Sequence, residues 1–242
     1  MSFAALAIRN FKETFRDPLS MGFEVGLPPV FMVMFWSLGK NMGADIFTAT
    51  MLLPAAVIFG FVCLTMFSAI TLAGDRQSAL LSRLLTTPLR SSDFILAYTL
   101  PYILIAILQI AVCFAVGALL GLEVYGNIGL VLLILLFMTI CCIGLGMALG
   151  SLFTENQVSG IGSAIIVFTS LFGGLWMDLE AIGGVFQDIG YALPFAHAVD
   201  AARSVFMGAG LSDIATDLGW VLTYTVAFFI LGILCFRWRT KE

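Results

Sequence analysis

Long apolar runs alternate with short polar links along most of the chain, and this pattern predicts a bundle of membrane-spanning helices. Six runs approach or exceed the ~20 apolar residues that cross a bilayer, and they cover 20–39, 50–73, 94–122, 128–153, 158–177 and 218–236. Pro101 lies near the start of the third run and predicts a kink or tilt there. Gly146 and Gly150 have the spacing of small residues that let two helices pack closely. We therefore predict an all-α integral membrane protein.

The residues before the first run predict a helix that lies in the membrane plane. Apolar side chains recur there every three or four positions, and charged side chains occupy the other side. The apolar set is Phe3, Leu6, Ala7, Phe11 and Phe15, and the charged set is Arg9, Lys12, Glu13 and Arg16. Such a helix rests its apolar face on the membrane, and we expect it to end before Pro18. This in-plane helix covers residues 1–17.

A polar segment at 74–93, GDRQSALLSRLLTTPLRSSD, separates the second and third runs. Its leucines at 80, 81, 84, 85 and 89 recur at helical spacing, and Pro88 stops the pattern. Three arginines accompany them, which predicts a short amphipathic helix that docks into a partner. The alternative is an interfacial helix that rests on lipid headgroups.

The distribution of basic residues predicts the orientation. Lys and Arg number 11 in a chain of 242 residues that is 61% hydrophobic and carries a net charge of −4. With six spans both termini share a side, and that side holds all the basic residues except Lys40 and Arg203. Cytoplasmic loops carry an excess of Lys and Arg, so we expect both termini in the cytoplasm. The chain would then form a single transmembrane domain, 1–242, in the inner (plasma) membrane.

The stretch at 178–217 is too polar to span and too apolar for a free loop. Leu179, Ile182, Val185, Phe186 and Ile189 predict one short helix that ends near Gly190. Pro194 is suited to the first turn of a second helix. We expect an outer pair of short helices that re-enters the bilayer.

Several kinds of chemistry are excluded by missing residues. The chain has no GxxxxGK[ST] loop for ATP, and its one histidine cannot build HExxH zinc chemistry. No metal site and no basic patch for nucleic acid is predicted. The spans are almost free of ionisable residues, which ion-driven carriers keep near the midplane. The sequence thus predicts a transport protein without its own energy source and not an enzyme.

Three stretches of the chain carry a family resemblance. The N-terminal helix ending in RDP, the segment DRQSALLSRLLTTPLRSSDF and the segment ALPFAHAVDAARSVFMG resemble the elbow helix, the coupling helix and the outer re-entrant motif of ABC-2 exporter permeases. Asp75 and Ser82 stand where the family commonly has glutamate. The stretch after Trp176 also lacks the proline often seen near Ala181.

The resemblance implies the permease subunit of an ATP-driven exporter. Two separate ATPase subunits would bind ATP and magnesium, so this chain would need no cofactor, and a second permease would complete a homodimer or heterodimer within membrane lipid. The residues expected to couple the ATPase are Arg76, Arg83, Leu84, Leu85, Pro88 and Leu89. The residues expected at an outer gate are Pro194, His197, Asp200 and Arg203, with an ion pair between the last two.

The cargo is the least determined part of the prediction. Phenylalanine is abundant, with 22 residues, and a path lined by aromatic side chains suits an apolar or amphipathic drug, antibiotic or lipid-linked molecule. The expected path residues are Glu24, Phe35, Phe59, Phe67, Phe168 and Phe172. Within the family, export of polysaccharide, peptide or sodium is the alternative. A self-contained channel or carrier, or a membrane scaffold, is an alternative of another class.

Overall fold

The computed structural model describes residues 3–42, 47–77 and 91–239. The helices in these ranges are α1 Phe3–Thr14, α2 Pro18–Met42, α3 Ala49–Gln77, α4 Ser91–Leu119, α5 Ile128–Leu152, α6 Glu155–Phe172, α7 Leu179–Ile182, α8 Gly184–Tyr191, α9 Pro194–Phe206 and α10 Ala215–Arg239. No strand occurs within the same ranges. The all-helical class is therefore confirmed, and α1 is a separate helix before the first long one, as the sequence predicts.

Five helices in the described part of the chain are long and apolar enough to cross a membrane, namely α2, α3, α4, α5 and α10. The predicted fifth span, 158–177, corresponds to α6, which is 18 residues long and is not among the five. Its boundaries differ from the prediction because it begins with the polar residues Glu155, Asn156 and Gln157 and ends before Gly173. Gly174 has φ +65°, a left-handed conformation that does not continue a helix. The count of six spans stays a prediction.

The core is built around α3, which packs against α2, α4, α5, α6 and α9. The contact with α5 is close because two glycines lie in it. A Cβ added to Gly146 would lie 2.1 Å from Ser68 Oγ and 2.6 Å from Thr65 O, and one added to Gly150 would lie 2.5 Å from Ala69 O. The predicted glycine pair therefore serves packing between two helices of the same chain.

A second close junction compensates for a proline inside α2. Pro28 has no N–H, so the carbonyl of Glu24, four residues earlier, loses its helical partner. Gln109 of α4 supplies a substitute, because its Nε2 donates a hydrogen bond to Glu24 O at 2.7 Å. A Cβ added to Gly60 of α3 would lie 2.7 Å from Pro28 Cγ and 3.2 Å from the Gln109 amide. The glycine therefore allows α2, α3 and α4 to meet at this point.

The outer segment contains three short helices instead of the predicted pair. The first predicted helix is divided into α7 and α8 because Gly183 and Gly184 have φ +67° and +61°, which interrupts a helix. Asp178 caps α7, accepting hydrogen bonds from Glu180 N and Ala181 N at 3.0 and 3.3 Å. The second predicted helix is α9, which begins at Pro194 as expected and packs against α3, α5 and α10.

Candidate functional site

The last turn of α3 is joined to α1 and α4 through Asp75. Arg9 of α1 donates two hydrogen bonds to this carboxylate, from Nη1 to Oδ2 at 2.9 Å and from Nη2 to Oδ1 at 3.0 Å. The hydroxyl of Tyr98 in α4 donates a third, to Oδ2 at 2.6 Å. Burial opposes the charge of Arg9, but the hydrogen bond and charge of Asp75 outweigh it and raise the pKa of Arg9. Arg9, Asp75 and Tyr98 form what we call the Asp75 joint.

Arg76, the next residue, binds the end of a different helix. Its Nη2 donates to Phe153 O at 2.7 Å, and its Nη1 donates to Ser151 O. Because α5 ends at Leu152, these carbonyls belong to a helix terminus that lacks intrahelical partners and favours a cation. Two adjacent residues, Asp75 and Arg76, therefore tie the end of α3 to α1, α4 and α5.

The predicted coupling segment, 74–93, is helical at both ends. α3 continues to Gln77 and α4 begins at Ser91, so both flanking helices extend into the segment, and its extent as a coupling segment stays a prediction. The extension of α3 has a physical reason, since the polar side chains of its last turn are satisfied by neighbouring helices. Of the predicted coupling residues only Arg76 lies in the described part. The others, Arg83, Leu84, Leu85, Pro88 and Leu89, lie outside it, and their role stays a prediction.

Arg203 of α9 binds three backbone carbonyls, from two segments of the chain, at the opposite end of the bundle. Its Nε donates to Met51 O at 3.1 Å, its Nη1 to Gly174 O at 3.0 Å and its Nη2 to Leu175 O at 2.9 Å. The predicted partner Asp200 lies 3.7 Å away, from Oδ1 to Nη1, which is longer than a hydrogen bond. Burial lowers the pKa of Arg203, with the charge of Asp200 opposing this shift. The predicted ion pair is present, but the carbonyls are the nearer partners.

The polar atoms of Asp200 and His197 are directed to α8 and α10. The hydroxyl of Tyr191 donates to Asp200 Oδ2 at 2.7 Å. His197 Nδ1 lies 2.7 Å from Asp217 Oδ1 and Nε2 lies 3.0 Å from Tyr191 O, while its ring stacks on Trp220 with centroids 5.1 Å apart. Burial raises the pKa of Asp200, with the Tyr191 hydrogen bond opposing it. His197 thus links three helices.

An acidic cavity of about 420 Å³ lies beside this network. Of the four predicted gate residues, Asp200 and Arg203 line it, whereas Pro194 and His197 do not. Its other lining residues are Met51, Asp178, Glu180, Tyr191, Ser204 and Asp217. Carboxylates outnumber the single guanidinium there, which favours a cationic group over an anionic one. Across the residues with described positions, no cluster of His, Cys, Asp or Glu is arranged to hold a metal ion.

The predicted aromatic path divides into two separate clusters. Phe35 and Phe59 belong to a cluster centred on Trp176, with ring centroids 4.4 and 5.8 Å from it, and Phe31 joins them at 5.8 Å. Phe168 and Phe172 pair elsewhere, 4.6 Å apart, and Phe172 stacks on Phe186 at 4.9 Å. Trp176, which the sequence prediction missed, contacts rings of both α2 and α3, and Phe31 and Phe59 also pack on each other directly at 4.9 Å.

The last two predicted path residues lie apart from both clusters. Phe67 is half-buried on α3 and takes part in none of the ring contacts found among the described residues. Glu24 is 4% exposed, and its Oε2 has no hydrogen-bond partner within the described ranges. The structure therefore places Glu24 at the junction of α2, α3 and α4 and not on an open surface.

A family model and two curated relatives all place the chain among ABC transporter membrane proteins. The family model for the ABC-2 type transporter matches residues 1–207. The linearmycin resistance permease protein LnrN of Bacillus subtilis (strain 168) is 24% identical over 181 residues, which cover 73% of this chain and 47% of that protein. The probable multidrug ABC transporter permease YbhR of Escherichia coli (strain K12) is 20% identical over 189 residues, covering 77% of this chain and 50% of that protein. This chain spans about half the length of both relatives.

Proposed function

The chain belongs to the ABC-2 type transporter family, and we propose that it is the membrane-spanning permease of an ATP-driven exporter. ATP and magnesium would be bound by two separate ATPase subunits, and a second permease copy or homologue would complete the transporter. The placement proposed is the inner (plasma) membrane with both termini in the cytoplasm, which rests on the distribution of basic residues.

The observation that carries the proposal is the contact pattern at the end of α3. Asp75 and Arg76 connect α1, α4 and α5 directly before residues 78–90, which contain the predicted docking leucines. A displacement of the end of α3 is transmitted to α1, α4 and α5 together, because the side chains of Asp75 and Arg76 join α3 to all three helices. A permease driven from outside its own chain needs such a connection.

We propose an apolar or amphipathic cargo. The names of the two relatives refer to linearmycin resistance and multidrug transport, and the Trp176 cluster supplies an aromatic surface within the bundle. The acidic cavity at the opposite end suits a cationic or polar group on the same molecule. An amphipathic drug or antibiotic combines both properties.

The test is association with the ATPase. The double substitution Leu84→Ser and Leu85→Ser should weaken ATPase binding by about 100-fold, since burying one leucine contributes ~1.5–3 kcal/mol and ~1.4 kcal/mol is tenfold. Leu211→Ser is the matched control, because Leu211 is exposed in the link before α10. Binding would be measured by co-purification, and substrate-stimulated ATP hydrolysis would be measured on the assembled complex. Unchanged binding in the double variant would contradict the proposal.

A further inference from the structure

An apolar groove lies along the line where α1 packs against α4. Its volume is about 520 Å³. Ala7, Ile8 and Phe11 of α1 form one wall, and Leu100, Leu104 and Ile107 of α4 form the other. Because Leu100 and Ile107 are seven residues apart on a helix that rises ~1.5 Å per residue, the groove follows α4 for about 10 Å. Such a shape accepts an extended apolar chain that lies along α4.

The groove walls remain uncovered by the rest of the chain. Ile8 is 57% exposed, Ile107 is 52% exposed and Leu100 is 42% exposed. Within a bilayer such a surface is in contact with acyl chains, and a groove holds one of them more closely than a flat helix face does.

Cationic side chains stand at one side of the groove. Lys12 lines it, and Lys12 and Arg16 also line an adjoining hollow of about 620 Å³. Lys12 lies in the last turn of α1 and Arg16 in the turn that follows the helix, and both side chains line this hollow. Arg9, by contrast, is occupied by Asp75 and by Glu13, whose Oε2 lies 2.5 Å from Arg9 Nη2. Lys12 and Arg16 have no acidic partner among the residues described, so the charge beside the groove is positive.

We propose that this groove binds an anionic phospholipid, with an acyl chain along α4 and the phosphate beside Lys12 and Arg16. The apolar stem of a lysine lies readily along an apolar wall while its ammonium reaches the polar layer. Charge complementarity selects an anionic headgroup over a zwitterionic one. The proposal rests on the cytoplasmic, in-plane placement of α1, which is part of the proposed function.

The experiment uses the full chain, purified in detergent and stripped of lipid, without any ATPase. Dioleoyl-phosphatidylglycerol and dioleoyl-phosphatidylcholine are added separately, and bound lipid is counted by native mass spectrometry. Each cation near an anionic surface contributes ~1 kcal/mol, or about fivefold in affinity, so two cations predict a preference of about 25-fold for phosphatidylglycerol. The double change Lys12→Gln and Arg16→Gln should remove most of this preference and leave phosphatidylcholine binding unchanged.

Two further variants separate the contributions of charge and shape. Lys40→Gln is the control for loss of a cation away from the groove, because Lys40 lies on α2 with its Nζ 3.9 Å from the Trp36 ring centroid. This variant should keep the full preference. Leu104→Trp, at a lipid-facing position, should fill the groove and reduce the binding of both lipids. Equal binding of the two lipids by the parent chain, or an undiminished preference in the double glutamine variant, would overturn the proposal.

A protein partner for the two cations would give a different result. If the double glutamine variant kept its lipid preference but lost association with the ATPase, Lys12 and Arg16 would face that subunit, and the lipid proposal would be overturned. Loss of ATPase binding in the Leu84 and Leu85 variant has no bearing on lipid counts from the chain alone. Failure of one experiment can therefore be distinguished from failure of the other.

Discussion

Removing the charge of Asp75 should destabilise the protein more than removing the charge of Glu13, although both carboxylates contact the same guanidinium. Asp75 accepts two hydrogen bonds from Arg9 and one from Tyr98, and its side chain is 13% exposed. The side chain of Glu13 is 53% exposed. The substitutions to compare are Asp75→Asn and Glu13→Gln, which conserve shape and remove one charge each.

The expected difference follows from burial and from the number of bonds. A hydrogen bond to a charged group contributes ~1.5–3 kcal/mol, and asparagine places an NH₂ donor opposite a guanidinium that can only donate. We expect Asp75→Asn to cost about 2–3 kcal/mol, a value that allows for the partial exposure of Arg9. An exposed ion pair contributes ~0–1 kcal/mol, so Glu13→Gln should cost less than about 1 kcal/mol.

The assay is equilibrium unfolding of the purified chain in mixed micelles, followed by circular dichroism as denaturing detergent is increased. A double-mutant cycle with Tyr98→Phe adds a second test, because groups in one network couple by ~0.5–3 kcal/mol. The loss caused by Tyr98→Phe should therefore shrink once Asp75 is Asn. Equal costs for Asp75→Asn and Glu13→Gln, or strict additivity in the cycle, would refute the idea that Asp75 holds α1, α3 and α4 together through one buried network.

Three further predictions concern the helix contacts and the outer network. Gly146→Leu should abolish the folded yield, because a Cβ there would already lie 2.1 Å from a side-chain oxygen of α3. Gly160→Leu should be tolerated, since nothing lies within 4 Å of its added Cβ. Size-exclusion profiles of the two purified variants test this difference. Gln109→Leu should cost about 1 kcal/mol in detergent unfolding. The cost should be smaller in a Pro28→Ala background, because the N–H of the alanine can donate to Glu24 O within α2. Burial raises the pKa of Asp200, so the folded state binds this proton more tightly than the unfolded state does. The contribution of Asp200 to the free energy of unfolding should fall as pH rises from the ordinary pKa of a carboxyl group through the raised pKa of the folded state. In unfolding curves measured across pH, Asp200→Asn should remove that decline.

Apolar length and local spacing account for much of the fold. The run predicted at 128–153 matches α5, because Asn127 caps its first turn by accepting from Gly129 N at 2.8 Å and the helix lies within a single apolar run. The division between α7 and α8 escaped prediction. An apolar repeat continues across Gly183 and Gly184, and only the backbone shows that both glycines adopt positive φ.

Helix ends were harder to predict where long-range contacts decide them. α3 runs past its predicted end at residue 73 because Asp75 and Arg76 find partners on α1, α4 and α5. Arg9 is 66 residues from its partner Asp75, and Phe153 is 77 residues from its partner Arg76. Sequence spacing carries no information on such pairs. A charged turn after an apolar run therefore predicts the start of a loop.

The same limit applies to the outer site. Asp200 and Arg203 are three residues apart, and their proximity was predicted from helical spacing. The Arg203 hydrogen bond to Met51 O spans 152 residues, and His197 meets Asp217 across a turn and a helix boundary. Trp176 gave no periodic signal, since it follows the end of α6. Local pattern therefore identified the helix that carries the site, while its hydrogen bonds required the fold.

The repair of α2 by Gln109 has an evolutionary consequence. The glutamine amide is needed because Pro28 leaves a carbonyl without its helical partner, and an amide in the bilayer is costly once that need is gone. A homologue that loses the proline is free to lose the glutamine, and one that keeps the proline must keep a donor on α4. Positions 28 and 109 should therefore covary among the chains that share this fold, although 80 residues lie between them.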